Sequence, residues 1–250
     1  MARVPIQETF TLPSNGRLYA GMNIPAEVKL RAMSTLDEKI RLASNNPFKT
    51  TPALVKNCIV GADFDTEDLK LFDLYFLMFK LREITYGSDY KVTVNCEHCN
   101  ASNKVTVNLA ELEVTSLDEN DTEPFTITLP KSGDQLACKY LSCKDLNRLQ
   151  NEVERIKLKD PTADESDVNF IPALCSRIVT INGEEWPAPK LTNYMQNMHA
   201  VDYNYFNKKY LSITNKPGIN LNWVDTCEKC GMPLIFEVPI LSEFFSPSID

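Results

Sequence analysis

Two Cys-x-x-Cys pairs carry the clearest chemistry in the chain: Cys96-Glu97-His98-Cys99 and Cys227-Glu228-Lys229-Cys230, with residues 100–226 between them. Together they offer four thiolates, the ligand set that a closed, tetrahedral structural zinc site takes. Asn100 follows one pair and Gly231 the other. These two types best tolerate the left-handed backbone that turns a knuckle's amides toward sulfur. The reading is a structural Zn2+ ion held by Cys96, Cys99, Cys227 and Cys230. His98 could replace a cysteine, but with four thiolates present it reads as a solvated tip residue.

Other uses of these cysteines fit less well. A redox Cys-x-x-Cys opens a helix whose N-terminus lowers the first thiol's pKa, whereas turn residues and a strand pattern follow each pair here. Met1-Ala2-Arg3-Val4-Pro5 lacks the apolar core of a secretory signal, so a reducing compartment and free thiols are expected. A zinc deaminase needs His-x-Glu upstream of Pro-Cys-x-x-Cys, and neither pair follows a proline. Cys58, Cys138, Cys143 and Cys175 lie among apolar neighbours, where free cysteine acts as a small hydrophobe.

The elements that must position the thiols are short hairpins. Tyr90–Asn95 and Lys104–Leu109 flank the first pair; Leu221–Val224 and Pro233–Val238 flank the second. Upstream, Glu8–Leu12, a Pro13-Ser14-Asn15-Gly16 turn and Arg17–Tyr19 predict a β arm. Glu27–Ala32 alternates charged and apolar residues as a half-buried strand does. Thr35-Leu36-Asp37-Glu38 offers a capping box for a helix to about Ser44, and Thr51-Pro52 the entry of a second, ending at Gly61. Thr66–Thr85 reads as the buried central helix, with a narrow polar stripe of Asp73, Lys80 and Glu83.

The middle of the chain has a different character. After the acidic stretch Asp118–Glu123, a hairpin from Phe125 to Tyr140 turns at Lys131-Ser132-Gly133-Asp134. A helix over Cys143–Leu158 presents an apolar seam of Leu146, Leu149, Val153 and Ile156. Lys144, Arg148, Arg155 and Lys159 line another face, either a solvated surface or a dock for an acidic partner. A polar linker (Asp160–Asp167), a short helix (Asn169–Ile178) and a turn at Ile181-Asn182-Gly183-Glu184 follow. Thr192–Leu211 reads as a helix broken near Ala200, its aromatics serving packing. His199 there lacks a sequence-near catalytic partner. The terminal Phe244-Phe245 is either an anchor for a neighbouring subunit or the lid of the chain's own core.

The expected fold class is α+β, mixed helices and short antiparallel hairpins joined by a four-cysteine zinc-ribbon-like element. Expected units are an N-terminal β arm (1–33), a helical core with the first knuckle (34–112), a middle insertion (113–190) and a helical segment with the second knuckle and tail (191–250). The units 34–112 and 191–250 are expected to intertwine. With 250 residues, 43% hydrophobic and 24% charged, the chain can bury a sizeable core. Its net charge of −8 disfavours phosphate-backbone binding, and its longest apolar run, Leu74–Phe79, is too short to span a membrane.

Several segments in order resemble the baseplate hub proteins of contractile-tailed phages of the T-even type. These are Leu12-Pro13-Ser14-Asn15-Gly16-Arg17-Leu18-Tyr19, then Glu27-Val28-Lys29-Leu30-Arg31-Ala32-Met33-Ser34-Thr35-Leu36-Asp37-Glu38-Lys39, then Leu81-Arg82-Glu83-Ile84-Thr85-Tyr86-Gly87 and the Cys96/Cys99 knuckle. Phe236-Glu237-Val238-Pro239 and Phe244-Phe245 also fit. The resemblance covers residues 1–110 and roughly the last thirty, and is weaker between. It implies a non-enzymatic hub subunit or hub assembly factor, in the virion or in the host cytoplasm during assembly, contacting other hub and tail proteins. The competing expectation is a zinc-ribbon protein that binds nucleic acid or a polymerase. Against it, Glu97 and Glu228 at the knuckle tips would put carboxylates where phosphates must sit.

Overall fold

The computed structural model describes residues 6–42, 47–162, 165–240 and 242–246. Strand β1 (Gln7–Thr11) pairs antiparallel with β2 (Glu27–Arg31), Phe10 opposite Val28. The alternation in β2 sends Val28 and Leu30 fully into the core and Glu27 and Lys29 to solvent. Arg17–Tyr19, expected as extended, forms no strand: Arg17 and Leu18 are turn, with Leu18 at φ 65°. Gly16 explains the tightness here: at φ +69°, a Cβ on it would lie 2.8 Å from the Ala26 amide nitrogen, so no larger residue fits.

Helix α1 (Thr35–Leu42) starts where expected, but its cap is one residue earlier. The Ser34 amide and hydroxyl donate to Asp37 Oδ2 at 2.6 and 2.7 Å, in place of a Thr35–Glu38 exchange. Helix α2 (Pro47–Cys58) begins before Thr51 and carries Pro52 inside it. The central helix α3 (Leu71–Tyr86) follows a 3-10 turn over Thr66–Asp68 that Asp65 caps. Phe72, Leu74, Phe76, Leu77, Met78, Phe79, Leu81 and Ile84 are buried as expected, whereas Tyr75 is partly exposed. Asp73, assigned to the polar stripe, is also fully buried, because it accepts from the Ser14 amide at 3.0 Å and the Tyr19 hydroxyl at 2.6 Å.

Strands β3 (Asp89–Asn95) and β4 (Ser102–Asn108) form the first knuckle hairpin. β5 (Val114–Thr115) later pairs with β9 (Gly218–Ile219). Between them, β6 (Phe125–Thr128) and β7 (Gln135–Cys138) make the expected middle hairpin, and β8 (Ile178–Ile181) adds to β7, giving the sheet order β6-β7-β8. Helix α4 (Cys143–Lys159) is capped reciprocally by Ser142 and Asp145. Helix α5 (Glu165–Ser176) starts inside the stretch read as linker and stops before Ile178, which opens β8 instead. Helices α6 (Ala188–Gln196) and α7 (Ala200–Thr214) meet at the expected break, where His199 Nδ1 accepts the Val201 amide at 3.1 Å and so caps α7. β10 (Asn222–Thr226) and β11 (Pro233–Glu237) form the second knuckle hairpin.

Apolar burial is split between two main clusters. The larger takes the β1–β2 arm, α2, α3, both knuckle hairpins and Phe244-Phe245. The second takes the β6-β7-β8 sheet together with Leu174, Met195, Phe206 and Tyr210. The arm packs on the first cluster, and α6 and α7 pack with the middle segment. A small third cluster of Phe72, Leu117 and Tyr140 joins α3 to Phe125, which also packs on the second cluster, and beside it Lys70 Nζ contacts Glu123 Oε1 at 2.6 Å and the Tyr140 carbonyl at 3.2 Å. Among the described residues no helix is long and apolar enough to cross a membrane.

Candidate metal centre

Each cysteine pair is the loop of a two-stranded hairpin. In the first, Asn95 faces Ser102 as the last pair of the ladder. The Cys96 amide then donates to the Ala101 carbonyl at 2.9 Å and the Asn100 amide to the Cys96 carbonyl at 2.8 Å. In the second, Thr226 faces Pro233, and the Cys227 and Gly231 amides donate to the Met232 and Cys227 carbonyls, both at 2.9 Å. Asn100 and Gly231 hold positive φ, 55° and 69°. The two loops therefore share one backbone solution, and Gly231 has the residue type for which it costs least.

The hairpins bring all four sulfur atoms within 4.8 Å of one another. Cys96 Sγ lies 3.7 Å from Cys230 Sγ, and Cys99 Sγ 3.7 Å from Cys227 Sγ. A tetrahedron with metal–sulfur bonds of about 2.3 Å has sulfur–sulfur edges of about 3.8 Å, so the cluster has the size a metal ion needs. Bonded sulfurs would stand about 2.05 Å apart, and the four cysteines are free thiols. Cys96 and Cys227 are buried, Cys99 half-buried and Cys230 exposed. Amides of Cys230 and Lys229 aimed at Cys227 Sγ draw its pKa down to about 6. At Cys230 the Met232 amide acts in the same sense, but desolvation of the sulfur by its neighbours and the thiols of Cys227, Cys99 and Cys96 outweigh it and push that thiol up to about 12. Four sulfurs close a tetrahedral site, leaving no ligand position open for a substrate.

What locks the hairpins together was not visible in the spacing. Asn103, only 3% exposed, accepts the Glu228 amide of the opposite knuckle through Oδ1 at 3.0 Å, and its Nδ2 donates to the Ala101 carbonyl at 2.9 Å. An asparagine at an inward position of the otherwise apolar Tyr90/Val92/Val105/Val107 face was the one signal. The Tyr90 hydroxyl donates to the Pro239 carbonyl at 3.0 Å, tying the first hairpin to the chain that leaves the second.

Phe244 is 1% exposed and its ring centroid lies 4.8 Å from that of Phe79 and 5.3 Å from that of Tyr90. Phe245 packs edge-on to it. Both pack into the chain's own core. On α4, Lys144 pairs with Asp68 at 3.2 Å and Arg155 with Glu152 within its own helix, while Arg148 is exposed; the stripe is in large part engaged within the chain. His98 is exposed at its tip and is not among the clustered ligand atoms. Cys58, Cys138 and Cys143 are buried as expected, and burial pushes each thiol up to about 12. Cys175 is half-buried.

Neither a curated protein nor a solved structure matches the chain. A family model described as T4 bacteriophage base plate protein matches residues 5–246, which takes in both hydrophobic clusters and both knuckles. The chain belongs to that T4 bacteriophage base plate protein family.

Proposed function

We propose that this baseplate protein serves the central hub, as a hub subunit or as a factor that assembles it, and that a structural zinc ion held by Cys96, Cys99, Cys227 and Cys230 fixes the two knuckle hairpins in one geometry. The observation that carries the zinc reading is the gathering within 4.8 Å of four sulfurs from two hairpins far apart in sequence. Four thiolates with tetrahedral spacing suit zinc. The mechanism is preorganisation: a surface already rigid loses less conformational entropy when it docks. In the chain-entropy model for covalent staples, clamping points about 130 residues apart constrains the unfolded chain by on the order of 4–5 kcal/mol, and metal-binding free energy adds to folding. The role works through contacts with other hub and tail proteins, involves no catalysis, and begins in the host cytoplasm before the tail is complete.

Two measurements test this. Cys96→Ser and Cys227→Ser should each lower the zinc-to-protein ratio of the purified chain and its melting temperature; zinc loss with unchanged melting would refute the stapling role. Mass spectrometry of purified baseplates and of their hub intermediates should find the chain in the hub fraction. Its presence only in peripheral baseplate parts would refute the hub assignment. A gel shift at low salt addresses the zinc-ribbon alternative, since tight, salt-sensitive binding of DNA or RNA would favour it.

A further inference from the structure

The two knuckle hairpins share a backbone design, so each serves as a reference for the other's solvent face. On β3–β4 the outward positions are Asp89, Lys91, Thr93 and Asn95 facing Ser102, Lys104 and Thr106, all polar. On β10–β11 the outward positions include Val224 directly across from Ile235, 65% and 68% exposed, with Pro233 beside them and Met232 exposed at the loop. A two-stranded sheet with one face on the core needs polar residues on the other, as the first hairpin has. The second breaks that rule at the centre of its face, and apolar residues clustered inside a polar border mark an interaction site.

The border favours one kind of occupant. Glu237 and Asn222 close one end of the Val224/Ile235 face, while Glu228 and Lys229 stand exposed in the loop at the other. Glu237 also lines the cleft of about 640 Å³ between the two clusters, where Tyr75 and Leu211 are partly exposed. The apolar face therefore runs on into a groove past a carboxylate that has no ion pair among the described residues. A second copy, itself carrying −8, would set acidic border against acidic border, which like-charge repulsion disfavours.

We propose that the outward face of β10–β11, with the adjoining cleft, docks another baseplate protein through an apolar surface bordered by lysine or arginine. The inference rests on the baseplate role proposed above and is independent of the metal, since Val224 and Ile235 point away from the core that holds the thiols.

The test places a photo-crosslinking benzoylphenylalanine at Val224 or Ile235, and at Thr93 or Lys104 as controls, in the full chain expressed during infection. Baseplate intermediates are isolated and crosslinked peptides sequenced. Positions 224 and 235 should capture a peptide of one other tail protein with Lys or Arg within a few residues, at least tenfold more than positions 93 and 104. Capture of the chain's own sequence, equal capture from both hairpins, or none from intermediates that contain the chain would each overturn the proposal. Absence of the chain from every intermediate would instead overturn the assembly role itself. As a second arm, the double variant Val224→Lys/Ile235→Lys should keep its zinc content and melting temperature, yet enter intermediates at least tenfold less; normal incorporation would overturn the proposal.

Discussion

At the scale of single residues, the polar groups buried in this chain are those that carry its specificity. Asn103 joins the two knuckles by one backbone contact and braces its own loop by another. Asn103→Ala should cost about 1–2 kcal/mol, the worth of hydrogen bonds lost where a neighbouring amide can still reach water. Denaturant unfolding would read that cost, and hydrogen exchange should show the Glu228 amide exchanging faster. Asp37 makes a second case. Its side chain is buried against Arg31 at 2.8 Å and also accepts from Ser34 and Asn57. Burial alone would raise its carboxyl, but Arg31, Ser34 and Asn57 hold it well below the usual carboxylate range. A depressed carboxylate stabilises the fold fully above the unfolded-chain value of about 3.9 and loses that contribution as pH falls through the lower native value. Asp37→Asn should therefore destabilise the protein by about 2–3 kcal/mol at neutral pH. The gap to the parent should begin to narrow as pH falls below about 4 and keep narrowing toward the lower native value, as parallel unfolding curves across pH would show. Little or no gap at pH 7 would mean that the Arg31–Asp37 pair contributes nothing net.

At the scale of elements, what was legible in the sequence is what local pattern determines. The alternation of β2, the knuckle hairpins with their left-handed Asn100 and Gly231, the middle hairpin and the break before α7 all follow from period, turn chemistry and spacing. The candidate site was legible for the same reason, because cysteine spacing is local and a pair needs a second pair. Illegible parts depend on partners far along the chain. Ser34-x-x-Asp37 and Thr35-x-x-Glu38 are equally good caps, and the Arg31 contact to Asp37 selects the first. Asp73 on an apolar helix reads as a solvent stripe until Tyr19, 54 residues earlier, folds over it. The allocation of α6 and α7 to the second cluster had no local signal at all. The short 3-10 turn Ser242–Phe245 was ambiguous because an aromatic pair suits a core and an interface alike. With Phe244 set among Phe79, Tyr90 and Phe245, Phe244→Ala should cost about 3–5 kcal/mol. Calorimetry of the purified chain alone would decide: a loss below about 1 kcal/mol would return Phe244 to the role of intermolecular anchor.

At the scale of the whole molecule, the four clustered thiols belong to hairpins of the first hydrophobic cluster and the β6-β7-β8 sheet to the second, and this predicts how the protein comes apart. The sheet and α7 enclose their own core; a small third cluster of Phe72, Leu117 and Tyr140, on which Phe125 also packs, links α3 to the second, with Lys70 and Glu123 paired beside it. Proteins open in contiguous cooperative units whose stabilities differ. If the proposed ion is bound, removing it with a strong chelator should raise hydrogen exchange in the knuckle loops, 96–101 and 227–232, and in the hairpin strands behind them. Protection at Ile127, Leu136, Ile178 and Phe206 should stay within about twofold of the metal-bound protein. Glu123→Gln should have the complementary effect. It weakens the Lys70 ion pair and the Tyr140 amide contact while leaving the thiols untouched, so zinc content should hold and the two clusters should unfold at more widely separated temperatures. If chelation instead strips protection from both clusters together, the ion governs a single cooperative unit, and the division into two cores describes packing without independent stability.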